Sequence, residues 1–248
     1  MPRPLTDTVL TSDGVMIAID LYGGEGHRQD LIVICPGFFQ SKDTPTFQRM
    51  AQALARRWDV LAMDFRGHGR SSGLYTFSAH EGRDLDAVLA WARARYAHLG
   101  VLGFSMGGAI TINTVSRDAQ QVRSLCLVSA PSVCKEVEFK FWTPEAIRTG
   151  LRGLERGAGC RPGNPLLLKD RPVDTIRRIH GIPKLFVHGT NDVIVGLRHS
   201  ERLFAAAQEQ KRFDVIERGS HAEALFRDDP DGFTERVTRW FSETLLPA

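Results

Sequence analysis

Two short stretches carry the pattern Gly-x-Ser-x-Gly: "GFSMG" at Gly103–Gly107 and "GRSSG" at Gly69–Gly73. Such a pattern can raise a serine hydroxyl on a tight turn, ready to attack a carbonyl carbon. Alone it says little, because chance supplies on the order of 0.1 match in a chain of this glycine and serine content. Context separates the two. A nucleophile elbow needs a buried strand directly before the serine and a helix directly after it. "VLGFSMGGAITI" supplies both, with Gly103 and Gly107 as the small flanking residues and Gly108 and Ala109 allowing close packing of the helix. "GRSSGLYTFSAH" supplies neither: its strand ends near Phe65, and no helix begins for several residues after Gly73. Ser105 is therefore the candidate nucleophile and Ser71 a turn residue. The plain alternative for Ser105 is a helix N-cap.

A serine hydroxyl is a poor nucleophile at neutral pH and needs a general base, itself oriented by an acid. On an elbow of this kind the chain order is serine, acid, histidine. "LFVHGTNDVIV" places Asp192 just past a buried strand, and "VIERGSHAE" places His221 in the loop after the last strand. Both follow Ser105 in the required order. Asp192 also suits a plain turn, and a loop histidine is often merely solvated. Among rival carboxylates, Asp64 precedes the serine, while Asp228 and Asp229 follow the histidine. His188, at the end of a buried strand, reads as a packed or hydrogen-bonded histidine.

Attack on a carbonyl creates an oxyanion, which two backbone N–H groups should receive. Met106, next after the nucleophile, is one expected donor. The other is expected from "CPGFFQSKD", where Gly37 permits a sharp turn and Phe38 offers its N–H. Phe38 and Phe39, with Phe139, Phe141 and Trp142 further along, are candidates for an apolar substrate pocket; the aromatic trio reads equally well as the core of a small cap.

These residues must be held by a scaffold, and the chain spells one out. "DTVLTSDGVMIAIDLYGG" reads as a hairpin turning at Ser12-Asp13-Gly14. Short apolar runs then alternate with helical spacing: "LIVICPG", "FQRMAQALARRW", "DVLAMDF", "SAHEGRDLDAVLAWARARY", "LGVLGFS", "MGGAITINTVSRD", "VRSLCLVSAP". Ser78 and Glu81 have capping-box spacing at the head of the second helix. "IPKLFVHGT", a helix around Arg198–Gln208, "RFDVIERG" and a helix over about 231–245 close the chain. The alternation predicts a mostly parallel, eight-stranded α/β sheet with helices on both faces and ligands at the carboxyl ends of the strands. A single domain over 1–248 is expected. Only about 131–171 breaks the rhythm; it reads as an insertion folded over the sheet edge, a short cap.

Composition narrows the options. The hydrophobic fraction of 42% and charged fraction of 25% are ordinary for a globular protein. A net charge of +3 without a basic run gives no support for nucleic-acid or anionic-membrane binding. Cys35, Cys126, Cys134 and Cys160 show no metal-ligand spacing; the first two read as buried thiols, and pairing of the last two stays open. The start, "MPRPLTDTVL", lacks the apolar core of a signal peptide, and no apolar run is long enough to span a bilayer, so a cytoplasmic protein is expected.

Together, "PGFFQSKD", "DFRGHGRSSG", "GFSMGG", "HGTNDVIV" and "GSH" resemble the α/β-hydrolase superfamily over nearly the whole chain. The texture is most similar to small bacterial carboxylesterases and cinnamoyl-esterase-like hydrolases. The resemblance implies the fold, a Ser105–Asp192–His221 triad, oxyanion N–H groups at Phe38 and Met106, and no metal or cofactor. "DFRGHGRSSG" would be a mainly structural turn. One departure stands out: Pro36 occupies the position where these proteins commonly have histidine. The expected activity is hydrolysis of a small-molecule carboxylic ester with small to medium acyl groups. Thioester, amide or carbon–carbon cleavage by the same residues, a ligand-binding homologue without turnover, and a non-catalytic scaffold remain alternatives at this level. Natural substrate and oligomeric state are not encoded legibly.

Overall fold

The computed structural model describes residues 4–23, 29–119, 122–138, 143–144, 147 and 155–245. The opening hairpin pairs β1 (Leu5–Leu10) antiparallel with β2 (Met16–Tyr22), and β2 runs antiparallel to β4 (Asp59–Met63). The remaining ladders are parallel and add β3 (Asp30–Cys35), β5 (His98–Phe104), β6 (Val122–Val128), β7 (Lys184–Gly189) and β8 (Lys211–Ile216). The resulting eight-stranded order is β1-β2-β4-β3-β5-β6-β7-β8.

The inner strands are continuous apolar runs because both faces are covered. Successive side chains point to opposite faces, and the core divides accordingly. Leu31, Val33 and Cys35 of β3 join one apolar cluster with α2 (Gly82–Arg93), α3 (Met106–Val115) and α6 (Arg198–Ala206). Ile32 and Ile34 join the other, with α1 (Pro45–Leu54), α7 (Ala224–Asp228) and α8 (Pro230–Thr244). The shorter helices α4 (Cys134–Glu138) and α5 (Pro172–Thr175) lie between β6 and β7.

The capping box at Ser78 and Glu81 forms only in half. Glu81 accepts from the Ser78 N–H at 2.7 Å, but the Ser78 hydroxyl caps nothing, and the helix starts at Gly82. The reason is competition: the buried Glu81 carboxylate also takes the Thr76 N–H at 2.5 Å, and Phe77 and Ser78 are drawn into positive φ.

Within the 131–171 stretch, residues 155–163 lie against loops at the carboxyl ends of β3 and β4 and the head of α1. Gly159 N–H donates to Phe39 O at 2.8 Å, Arg161 N–H to Gly67 O at 2.7 Å and Gly163 N–H to Tyr75 O at 2.7 Å. Glu155 accepts from the Thr46 N–H at 2.9 Å, at the head of α1. None of the four cysteines is in a disulfide, so Cys134 and Cys160 are not bridged to each other. Among the described residues no helix is long and apolar enough to cross a membrane.

Candidate functional site

Parallel β5, β7 and β8 end at the same rim of the sheet, and each delivers one chemically useful side chain there. Ser105 follows β5 directly, at φ 49° and ψ −120°. An L-residue adopts such a conformation at a cost of about 1–3 kcal/mol. The surroundings enforce it: Ser105 N–H donates to Val128 O at 2.8 Å, and α3 begins at the next residue. The turn also needs Gly107, since a Cβ there would fall 2.3 Å from both Cys35 O and Pro36 O. Ser105 makes no side-chain capping bond, which removes the plain N-cap reading.

Its hydroxyl lies instead 2.9 Å from His221 Nε2, and His221 Nδ1 lies 2.7 Å from Asp192 Oδ2. An ionised carboxylate only accepts, so Nδ1 carries the proton and Nε2 presents its lone pair to the serine. Burial opposes ionisation of Asp192. The charge of His221 and hydrogen bonds from His188 and His221 outweigh burial, and hold the carboxyl well below the usual range. Burial likewise disfavours the His221 imidazolium, but Asp192, by charge and hydrogen bond, with help from Glu223, raises its pKa above the ordinary 6.5.

Asp192 is held from several sides. Its Oδ1 accepts from Ile194 N–H at 3.0 Å and Val195 N–H at 2.8 Å. His188 Nε2 faces two acceptors, Val195 O at 2.7 Å and Asp192 Oδ2 at 3.2 Å, so it carries a proton toward them. His188 Nδ1 lies 2.7 Å from the Ser200 hydroxyl. The reading of His188 as a hydrogen-bonded core residue stands, and its contact with Asp192 was not visible in the sequence. The loop of His221 is anchored by Ala222 N–H donating to Ser129 Oγ at 3.1 Å, both residues having positive φ.

The loop after β3 faces the elbow. A Cβ on Gly37 would sit 3.1 Å from Ser105 Cβ, so the Gly37–Phe38 backbone passes directly beside the hydroxyl. Met106 opens α3, where helix geometry leaves its N–H without an intrahelical acceptor. The Phe38 ring is committed to an aromatic cluster, stacked on Tyr75 at 5.4 Å and against Phe77 at 5.5 Å. Phe39 is 39% exposed. Phe139, Phe141 and Trp142 lie outside the described residues. Across the opening, Gln40 Nε2 donates to Glu223 Oε1 at 2.7 Å, joining this loop to that of His221.

The other candidates are engaged elsewhere. Ser71 donates to Asp64 O at 2.7 Å and accepts from Ala18 N–H at 2.8 Å, so it is a strut. Asp64 accepts from the N–H groups of Lys42 at 2.8 Å and Arg70 at 3.0 Å. Asp229 accepts from Gly232 N–H at 3.0 Å and caps α8. Burial pushes the Cys35 thiol up to about 12, so it is no rival nucleophile. Among the described residues, no group of three or more His, Cys, Asp or Glu side chains could hold a metal ion.

Sheet order, crossover helices and the strained serine define an α/β-hydrolase fold, and the comparisons agree. A family model described as alpha/beta hydrolase fold matches residues 30–142. The esterase Pf2001 of Pyrococcus furiosus superposes with a TM-score of 0.77 at 17% identity, covering 98% of this chain and 93% of its own. The esterase RhEst1 of Rhodococcus sp. ECU1013 gives 0.77 at 20% identity, over 96% of this chain and 98% of its own. In sequence, the uncharacterized protein YqkD of Bacillus subtilis is 24% identical over 205 residues, 77% of this chain. The chain spans 64% of the length of that relative.

Proposed function

We propose that the protein is a serine hydrolase that cleaves small-molecule carboxylic esters of small to medium acyl groups. The observation that carries this reading is the connected Asp192–His221–Ser105 relay, with its 2.7 and 2.9 Å hydrogen bonds. His221 Nε2 takes the hydroxyl proton as Ser105 Oγ bonds to the ester carbon. Asp192 stabilises the imidazolium that results. The carbonyl oxygen becomes an oxyanion and is received by the N–H groups of Phe38 and Met106. His221 then returns its proton to the leaving alkoxide as the carbon–oxygen bond breaks, leaving an acyl group on Ser105. Water, deprotonated by the same imidazole, releases the acid and restores the serine. The chemistry needs no metal or cofactor. The segment over 131–171 serves as a cap, and the fold's likeness to proteins described as esterases favours an ester over other acyl substrates.

The test is a panel of chromogenic esters, acyl thioesters and aminoacyl amides, run with the wild type and Ser105→Ala. Multiple turnover of esters, lost in Ser105→Ala together with fluorophosphonate labelling, is the expected result. Turnover of only the thioesters or amides would move the substrate class. Labelling without turnover would indicate a ligand-binding homologue, and no labelling a scaffold.

A further inference from the structure

The stretch "DFRGHGRSSG" holds a group that the relay does not use, the side chain of His68. His68 is 1% exposed. Its Nε2 accepts a hydrogen bond from Phe39 N–H at 3.1 Å. Its Nδ1 lies 3.1 Å from Arg66 O. A carbonyl can only accept, so the proton sits on Nδ1 and the Nε2 lone pair is free for Phe39. The imidazole must be neutral to do this. Burial pushes its pKa down to about 4, with Arg66 O opposing and Arg161 assisting, so neutrality holds through the range in which His221 works.

What this bond restrains is unusual. Gln40 N–H donates to Gly37 O at 3.3 Å, closing a turn over Gly37-Phe38-Phe39-Gln40. Phe39, the third residue, has φ 70°. A turn with positive φ there ordinarily takes glycine or asparagine, because a side chain strains it. Reversing the peptide before Phe39 would relieve the strain and convert the turn. That reversal would point the Phe39 N–H away from its acceptor. The bond to His68 therefore selects the strained form. The ring is itself fixed edge-on against Tyr75 at 4.5 Å, and a short bridge pairs His68 with Cys160 of the 131–171 segment.

We propose that His68 is a positioning residue: its Nε2 anchors the Phe39 N–H, fixes the turn over 37–40 as one unit, and so steadies the preceding Gly37–Phe38 peptide, whose N–H is directed at the oxyanion formed beside Ser105. The inference rests on the ester-hydrolase reading for its consequence in catalysis. It assigns the motif a second task beyond bracing the fold. Gln at position 68 can place an acceptor oxygen near the Nε2 position, whereas Leu cannot.

The experiment compares wild type, His68→Gln and His68→Leu. Loss of one oxyanion donor costs about 10²–10³ in kcat, and loosening one should cost about 10–100-fold. His68→Leu is expected to lose kcat by that factor with KM within about twofold, and His68→Gln to recover most of it. Thermal unfolding of each variant gates the comparison. Should the Leu variant fail to fold, the wild type is read by NMR: a 15N–15N coupling across the hydrogen bond from Phe39 to His68 Nε2 is expected. A folded Leu variant with wild-type kcat, a Gln variant as impaired as Leu, or absence of that coupling overturns the proposal. A wild type inert toward every ester would instead fail the ester reading, and the catalytic role of His68 with it.

Discussion

The strain at Ser105 can be weighed by removing it. Serine, alanine and glycine at this position differ in two respects: the hydroxyl and the Cβ. Ser105→Ala deletes the hydrogen bond to His221 but keeps the Cβ at φ 49° and ψ −120°. Ser105→Gly deletes the same bond and also removes the Cβ. The difference between the two variants thus isolates the backbone cost, about 1–3 kcal/mol for an L-residue in this region. Against it stands the extra freedom of glycine in the unfolded chain, roughly 0.5–1 kcal/mol. The balance leaves Ser105→Gly more stable than Ser105→Ala by about 1 kcal/mol. In a domain of this size that is a Tm difference of roughly 2–4 °C. Differential scanning calorimetry on both variants, neither of which carries the hydroxyl, reads it directly. A Ser105→Ala protein that unfolds at or above the temperature of Ser105→Gly would refute the claim that the elbow is strained, and with it the account of why the hydroxyl stands at the rim.

Three other outcomes are expected. Asp192→Asn should fold normally yet lose about 10⁴-fold in kcat, because an amide no longer fixes the His221 tautomer; steady-state kinetics with a chromogenic ester decide it. The activity should fall on the acid side with a midpoint above 6.5, since only neutral His221 accepts a proton and its pKa is raised; a kcat/KM profile with an acid limb at or below 6.5 would contradict this. Gly107→Ala should destabilise by ~1–3 kcal/mol or more, because its Cβ would meet two backbone carbonyls rather than a side chain that can move; denaturant unfolding measures it.

The sheet was readable in the sequence because its inner strands are buried on both faces, so "LIVIC" and "VLAM" appear as unbroken apolar runs. Ser105 directly follows one such run and Asp192 comes three residues after another, β7, whereas His221 lies in the loop after β8, a charged and only partly buried strand, and is legible only by its order after the other two. Of the features not legible in the sequence, one is a local competition and the others join residues distant in the chain. Glu81 is drawn to Thr76 by local geometry that capping-box spacing cannot express. His68 meets Phe39 across 29 positions, and Ser129 meets Ala222 across 93, so neither pairing leaves a local signature. Within the 131–171 segment, residues 159–163 show no strand pattern because their backbone N–H groups bond to loops instead of a ladder.

The order β5-β6-β7-β8 has a kinetic corollary. Ser105 and His221 are 116 positions apart, and nothing local brings them together. A nascent chain displaying the elbow still lacks its proton acceptor until the last two strands have docked. On the proposed hydrolase reading, reactivity toward an acyl group arrives only with completion of the sheet, so gain of turnover during refolding would time the final docking event, not collapse of the first half.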